Sequence, residues 1–351
     1  MNTIKQKGAA IVTALIVTSV IATIATSLLV SYKNTFEKVV MDENYGRGLN
    51  YAMFAENFSR EILNIDRKKN SYDYYDKNEI WSQTLSQVPI DNAVVSGELE
   101  ELNGKININN LYIGKTKDQK SLARQQTFKR IIIKLFNNLN IDKLQATHIV
   151  NSIIDWIDED EYITQPGGAE DDAYNNLDAS FRTPNFYMGD ISEIKLLPAM
   201  TQAIWDKIKD CFIALPTSFT PININTAPQA IITALTGNNN QIIQYPGVAS
   251  APTSTVPSSD CNTAGKLKFK ALSQFVSVVN RENQNDKLPN FPSEYISAIS
   301  VQSSFFRLKA NVSLDSSNVH LQTLFFRNNK ATVTIARNLG IAPTKKPGAE
   351  K

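Results

Sequence analysis

Residues 5–30 read KQKGAAIVTALIVTSVIATIATSLLV. Lys5, Lys7 and Gly8 stand before a run, residues 9–30, that carries no charge. As a helix this run is about 33 Å long, enough to cross the hydrocarbon core of a bilayer. The basic flank keeps the N-terminus on the cytoplasmic side. A removable secretory signal has a shorter apolar region with its small-residue cleavage site after it. Here the apolar run is long and Gly8 precedes it, so the helix is expected to stay as a single anchor with the rest of the chain exported.

The exported part is globular by composition. The 351 residues have room for two compact domains, and 42% apolar with 20% charged residues argues against general disorder. A formal net charge of +2 gives no general attraction to nucleic acid or to an anionic membrane. Two cysteines, Cys211 and Cys261, are too few for a disulfide framework, but in an exported chain they are a candidate bridge.

Outward from the anchor, Phe54, Phe58, Ile62 and Ile65 form an apolar stripe, so the helix is expected to continue. Gly46 and Gly48 predict a bend or soft spot. Residues 66–79 are polar, tyrosine-rich and read as a loop. From 104 to 215 the period is helical. Phe128, Ile131, Ile132, Leu135, Phe136 and Leu139 make one face, and Val150, Ile153, Ile154 and Ile157 a second. Asp190 with Glu193 reads as a capping box, and Thr201 as the cap of a helix burying Ile204, Ile208 and Leu215.

GKININN at 104–110 echoes TPININT at 220–226. In the second copy Thr226 is a candidate N-cap, Pro228 falls in the first turn and Gly237 ends the helix. Residues 241–265 read as an irregular loop and 341–351 as a disordered polar tail. The C-terminal part switches to period 2. Phe306, Leu308, Ala310, Val312 and Leu314 alternate with polar residues, followed by Val319, Leu321, Thr323 and Phe325, then Ala331, Val333 and Ile335. This predicts an antiparallel meander with one buried face. The fold class is α+β: a long N-terminal helix and a C-terminal antiparallel sheet, with a helical insertion between them.

Between Leu144 and Phe181 stand nine acids and no Lys or Arg. Asp158 and Asp160 end one helix, and Glu170, Asp171 and Asp172 follow a Pro-Gly-Gly turn. Two acidic clusters folded together repel unless a cation joins them, and calcium accepts oxygen ligands in irregular geometry. The same residues also suit a solvated acidic face or a dock for a basic partner. His148 and His320 are the only histidines, and there is no phosphate-binding glycine loop, HExxH or GxSxG. This excludes the common hydrolase and zinc chemistries.

KQKG followed directly by an apolar helix resembles the leader of prepilins and pseudopilins. GKININN (104–110), DWIDEDE (155–161), GGAEDDAY (167–174), ISEIKLLPAMT (191–201) and PININTAP (221–228) resemble the motif set of the minor pseudopilin K family of type II secretion systems, general secretion pathway protein K. The resemblance runs from the leader to the last strand. It departs from other pilins at the fifth residue after Gly8, where they carry glutamate and this chain has Thr13.

The resemblance implies a pilin-like fold with an inserted helical domain similar to a sterile-alpha-motif fold. The divisions are then a leader at 1–8, a transmembrane helix at 9–30, and the rest of the long helix and first part of the body at 31–103. The insertion covers 104–215, the second helical motif and sheet 216–340, and the tail 341–351. It implies cleavage by prepilin peptidase after Gly8 and methylation of the new terminus, Ala9. Calcium at Asp158, Asp160, Glu170, Asp171 and Asp172 is also implied, since calcium sites occur in this class.

The expected partners are minor pseudopilins I and J, the pseudopilus and the inner-membrane secretion platform. The expected place is the inner membrane with the body in the periplasm, and the expected role is a filament cap that helps initiate assembly, without catalysis or nucleic acid. The alternative is a membrane-anchored helix-hairpin-helix DNA receptor. It is weakened by the hairpin Leu197-Pro198-Ala199-Met200, which lacks the glycines that let amides approach a phosphate.

Overall fold

The computed structural model describes residues 4–76, 79–114, 118–175, 180–237, 261–262, 265, 267–315 and 317–340. The expected tail at 341–351 and most of the expected loop at 241–265 lie outside these residues.

Helix α1, Ile4–Lys69, is continuous. Every residue from Ala10 to Glu43 is exposed, and the helix packs only beyond that point. Its buried face is Asn44, Gly48, Ala52, Glu56, Ser59, Leu63 and Asp66, spaced three and four apart. The expected stripe is largely on the other side: Phe54, Phe58 and Ile65 are exposed. Small residues take the inner face because the helix lies close to the sheet. A Cβ on Gly48 would stand 2.9 Å from Val319 Cγ2. Gly48 is therefore a point of close approach, and neither it nor Gly46 breaks the helix.

After α1 come strands β1, Leu85–Ile90, and β2, Ala93–Glu101, a hairpin that the sequence reading passed over. Next are β3, Ile106–Asn107, α2, Gln119–Asn138, α3, Lys143–Ile157, α4, Asp171–Asn175, and α5, Gln202–Ile208. Strands β4, Phe212–Ile213, and β5, Ile222–Asn223, lead to α6, Gln229–Thr236, α7, Leu272–Asn285, and β6, Ile299–Ser300. The chain closes with β7, Phe305–Leu314, β8, Ser317–Arg327, and β9, Thr332–Gly340.

The main sheet is antiparallel in the order β1-β2-β7-β8-β9, with α1 across its inner face. Phe306, Leu308, Ala310, Val312, Leu314, Val319, Leu321 and Phe325 all face α1 in one core, as their alternation requires. The last strand differs from expectation. Val333 and Ile335 are exposed at 43% and 42%, while Thr332 is buried. Thr334 pairs with the buried Phe325, so Thr332 and Thr334 lie on the inner side of the strand and Val333 on the outer. The inner face here is polar. Glu56 of α1, fully buried, accepts hydrogen bonds from Thr323 (3.0 Å), Thr334 (2.8 Å) and Arg337 (2.7 Å). Burial pushes its carboxyl up, but these hydrogen bonds outweigh burial and hold it below the usual carboxylate range.

The described residues of 102–304, between β2 and β7, form the helical part. One apolar core runs through it from Ile106 to Val301. The IN echo is structural. Ile106-Asn107 pairs in parallel with Phe212-Ile213, and Ile222-Asn223 pairs in parallel with Ile299-Ser300. In the first copy Asn109 Nδ2 donates to Met188 O (3.0 Å) and its Oδ1 accepts from Met188 N (2.9 Å). In the second, Asn225 Nδ2 donates to Phe269 O (2.9 Å) and its Oδ1 accepts from Phe269 N (2.8 Å).

Caps follow the sequence in part. Asp190 and Glu193 form the capping box, and Thr201 caps α5 by accepting from Ile204 N (3.3 Å). Leu215 lies beyond α5, buried with Leu102, Ile213 and Phe305 where the helical part meets the sheet. Thr226 is not the cap of α6. Its hydroxyl donates to Asn223 O, Pro228 holds the cap position, and Gly237, at φ 74°, ends the helix.

Candidate functional site

The acidic block lies between the C-terminal end of α3 and the start of α4. Apolar residues every three or four positions bury most of α3, and this carries Asp155 into the interior, fully buried. Asp158, 6% exposed, is the C-cap of the helix. The chain then turns back through Pro166, Gly167 and Gly168 and is tied to α3. Asp155 accepts from Thr164 N (3.0 Å), Asn151 Nδ2 donates to Pro166 O (2.8 Å) and Ser152 Oγ donates to Gly167 O (3.2 Å).

Both glycines are required by this packing. Gly167 has φ 75°, and a Cβ there would lie 2.2 Å from the His148 ring. On Gly168 a Cβ would lie 2.1 Å from Asp155 Oδ2. His148 therefore serves as a packing surface for the turn.

The turn delivers Glu170, 6% exposed, to the carboxylates of α3. Burial first, and then the charges of Asp155, Asp158, Asp160 and Asp171, push the Glu170 carboxyl up to about 8. Glu170 Oε1 is buried without a hydrogen bond. Tyr174, buried against Trp156 (5.4 Å), is raised above the usual phenol range by burial and by Asp155 and Glu170. Asp155 itself is raised, chiefly by burial.

Four of the five expected ligands thus come near one another: Asp158, Asp160, Glu170 and Asp171. Asp171 is also held by Thr183, whose N and Oγ1 both donate to Oδ1 at 2.9 Å. Asp172 is exposed on the first turn of α4. Asp155 was missing from the expected set; its position one turn before Asp158 and Glu159 on the buried face of α3 is the signal that could have found it.

The block is not free of cations in space. Arg182 Nε is 3.8 Å from Asp171. Lys129 of α2 lies near Asp155 and donates to Asn151 Oδ1 (2.5 Å), and burial lowers its amine below the usual range. Among the described residues, no three His, Cys, Asp or Glu side chains converge as a metal-binding group. The donors have the chemistry of a hard-cation site, with a buried carboxylate oxygen left over, but they do not close on one point.

Elsewhere, Gly8 and Ala9 lie on α1. From Ala10 the helix is apolar enough and long enough to cross a membrane. The Thr13 hydroxyl donates to Ala10 O (3.0 Å) within the helix. Cys211 and Cys261 are joined in a disulfide, Cα atoms 5.0 Å apart, which ties the end of α5 to the chain ahead of α7.

Residues 104–217 match the family described as type II secretion system (T2SS), protein K. The chain is 28% identical over 223 residues to type II secretion system protein K of Pectobacterium carotovorum subsp. carotovorum, covering 63% of this chain and 67% of that protein. It is 25% identical to the protein of the same name from Pseudomonas aeruginosa, covering 66% and 68%. In three dimensions it superposes on a chain of the GspK-GspI-GspJ complex from the type 2 secretion system of enterotoxigenic Escherichia coli. That match has a TM-score of 0.65 at 20% identity, covering 87% of this chain and 100% of the other, a likeness of fold. With the long apolar helix, the antiparallel sheet and the helical insertion in place, the chain is similar to type II secretion system protein K in sequence, and in fold to a chain of the GspK-GspI-GspJ complex.

Proposed function

We propose that this subunit caps the pseudopilus tip together with minor pseudopilins I and J and helps to start its assembly. The observation that carries this reading is the bulk of residues 102–304, inserted between two neighbouring strands of the sheet beside a helix that must pack among other subunits. In a shaft each subunit is surrounded, whereas at the tip that bulk faces open space. Thr13 agrees with this. The family's glutamate pairs with the amine of the subunit ahead, and a first subunit has none ahead. The relative's complex with GspI and GspJ supports the choice of partners.

The exposed first part of α1 supports a single-pass anchor in the inner membrane with the body in the periplasm. Its small residues Ala14, Ser19, Ala22 and Ala25 let partner helices approach. Processing after Gly8 by prepilin peptidase, with methylation of Ala9, belongs to the same reading. So does an assembly role without catalysis.

Calcium fits the acidic block by donor chemistry: Asp158, Asp160 and Glu170 would hold it, with Asp155 fixing the turn that presents Glu170. The ion would supply charge neutralisation and a link between α3 and α4. It would need carbonyls or water besides these carboxylates.

A label on the exported body, imaged on assembled pseudopili, tests the placement. Signal at one end, with I and J retained on affinity capture of the whole chain, is the expected result. Signal along the filament overturns it.

A further inference from the structure

Where the end of α1 meets the end of β8, four ionisable side chains are buried: Asp66, Asp73, Glu79 and Arg327, none more than 3% exposed. Arg327 donates from Nη1 to Asp66 (2.8 Å) and from Nη2 to Asp73 (2.6 Å), with its guanidinium 4.5 Å from the Phe306 ring. The half-buried Arg67 adds a second positive charge beside Arg327 and Asp73. Asp66 and Asp73 are balanced by these two arginines.

Glu79 is different. Its neighbours among the described residues are Asn70, whose Nδ2 donates to Oε2 (3.2 Å) and also reaches Asp66 Oδ1 (3.4 Å), the Tyr74 hydroxyl, and the carboxyl of Asp66. None is a cation. The two buried carboxyls share the one Asn70 donor, and like charges held this close in a buried site are relieved when Glu79 carries a proton. The other charged groups around the crossing are Asp76, paired with Lys268, and Glu101 at the end of β2, held by the N–H groups of Asn103 and Gly104.

Glu79 immediately precedes the tight turn Ile80–Ser82, and Ser82 N donates back to Glu79 O (3.2 Å). Within that turn Trp81 is fully buried, 5.2 Å from Tyr75 and 5.4 Å from Phe306. Ile80 and Trp81 also wall an apolar groove of about 350 Å³ with Phe54 and Phe58 of α1 and Leu308 of β7. Holding Glu79 therefore holds Trp81 and shapes the groove.

We propose that the Glu79–Asp66 pair is a proton-operated latch, which pins the Ile80–Ser82 turn against α1 when protonated and releases it when the proton leaves. Burial, followed by the charges of Asp66 and Asp73, pushes the Glu79 carboxyl up to about 7. A carboxyl raised on folding stabilises fully below its unfolded value, near 4.5, and that contribution is lost as pH rises through about 7. The latch thus works between weakly acidic and weakly alkaline conditions.

Hydrogen exchange of the full chain in detergent, corrected for the intrinsic pH dependence of exchange, tests it. Amides of residues 79–84 should lose about tenfold protection between pH 6 and 8 in the unaltered protein. Glu79→Gln, which has no proton to lose and an amide able to donate to Asp66, should keep its protection across that range. Glu101→Gln should leave the transition in place. Constant protection in the unaltered protein overturns the latch without recourse to any variant. A transition that survives Glu79→Gln, or vanishes only with Glu101→Gln, overturns it as well.

Discussion

Gly168 lies so close to Asp155 that a side-chain carbon on it would come within 2.1 Å of Asp155 Oδ2, and within 2.5 Å of Thr164 O. Neither neighbour can yield cheaply, since one is a buried carboxylate and the other is backbone. The glycine and the acid thus form one device, a turn that can seat Glu170 only if nothing occupies the space between them. Gly168→Ala should destabilise the exported body by about 1–3 kcal/mol, as overpacking does. With calcium bound, chelator should lower the melting temperature of the unaltered protein, by about 2.7 kcal/mol of stability at a hundredfold excess of ion over Kd. Gly168→Ala and Glu170→Gln should both blunt that response. Identical melting curves with and without chelator would count against calcium while leaving the packing claim standing.

The two asparagines that mark the internal echo should behave alike. Asn109 and Asn225 are both fully buried and each satisfies the N–H and C=O of one residue across the helical part, Met188 and Phe269. Replacing either by alanine leaves buried backbone groups without partners, at about 1–3 kcal/mol for each group. Asn109→Ala and Asn225→Ala should therefore each lower the denaturant midpoint clearly, with Asn→Asp rescuing only the accepting half. A surface asparagine such as Asn137 gives the comparison. Unequal losses, one near zero, would mean the echo is no longer structural in one copy.

What could be read from the sequence follows from where apolar residues carry the pattern. The faces of α2 and α3 and of β7 and β8 are apolar at a strict period, and all of them are buried as expected. On α1 the same logic selects Phe54 and Phe58, yet the helix turns Gly48, Ala52, Glu56 and Ser59 to the sheet. Close approach favours small side chains, and Glu56 is tolerated because three side chains from β8 and β9 satisfy it. Strand β2 escaped notice because Glu98 and Glu100 lie outward, paired with Lys309, and leave only Ala93 and Val95 buried on the core side. At the acidic block the charge count along the chain was right, but Lys129 and Arg182 enter from outside the counted window. Sequence distance hid them, as it hid the burial of Asp155.

The disulfide offers a separate handle on the helical part. Cys211 and Cys261 close a loop with a sequence separation of 50. In the chain-entropy account such a closure contributes about 4 kcal/mol by restricting the unfolded chain. Cys211→Ser should lower stability by up to that amount, and reductant should lower the unaltered protein to the same level while leaving the variant unchanged. Both cysteines are buried, so the reductant must be applied with partial denaturant. A variant as stable as the parent, under conditions where the parent is shown to be oxidised, would mean the bridge contributes nothing in solution.

Thr13 offers the sharpest test of placement. It sits near the start of an exposed apolar helix, its hydroxyl satisfied by Ala10 O within the helix. The hydroxyl therefore needs nothing from a neighbour, whereas a carboxylate in lipid is costly unless a cation meets it. In a shaft position the amine of the subunit ahead could meet it, and Thr13→Glu would then be neutral or favourable. At the tip no subunit lies ahead, and the new carboxylate must take up a proton or draw in water. Thr13→Glu should accordingly leave processing after Gly8 intact and reduce incorporation mildly, by less than tenfold. Its yield in assembled pseudopili should be compared with the unaltered chain in cells that supply all other subunits. If Thr13→Glu instead enters the filament in greater amount and spreads along its length, then the absence of the acid is what kept this subunit from the shaft. Placement would then be set by the helix alone, and the bulk of the helical part would have no share in it.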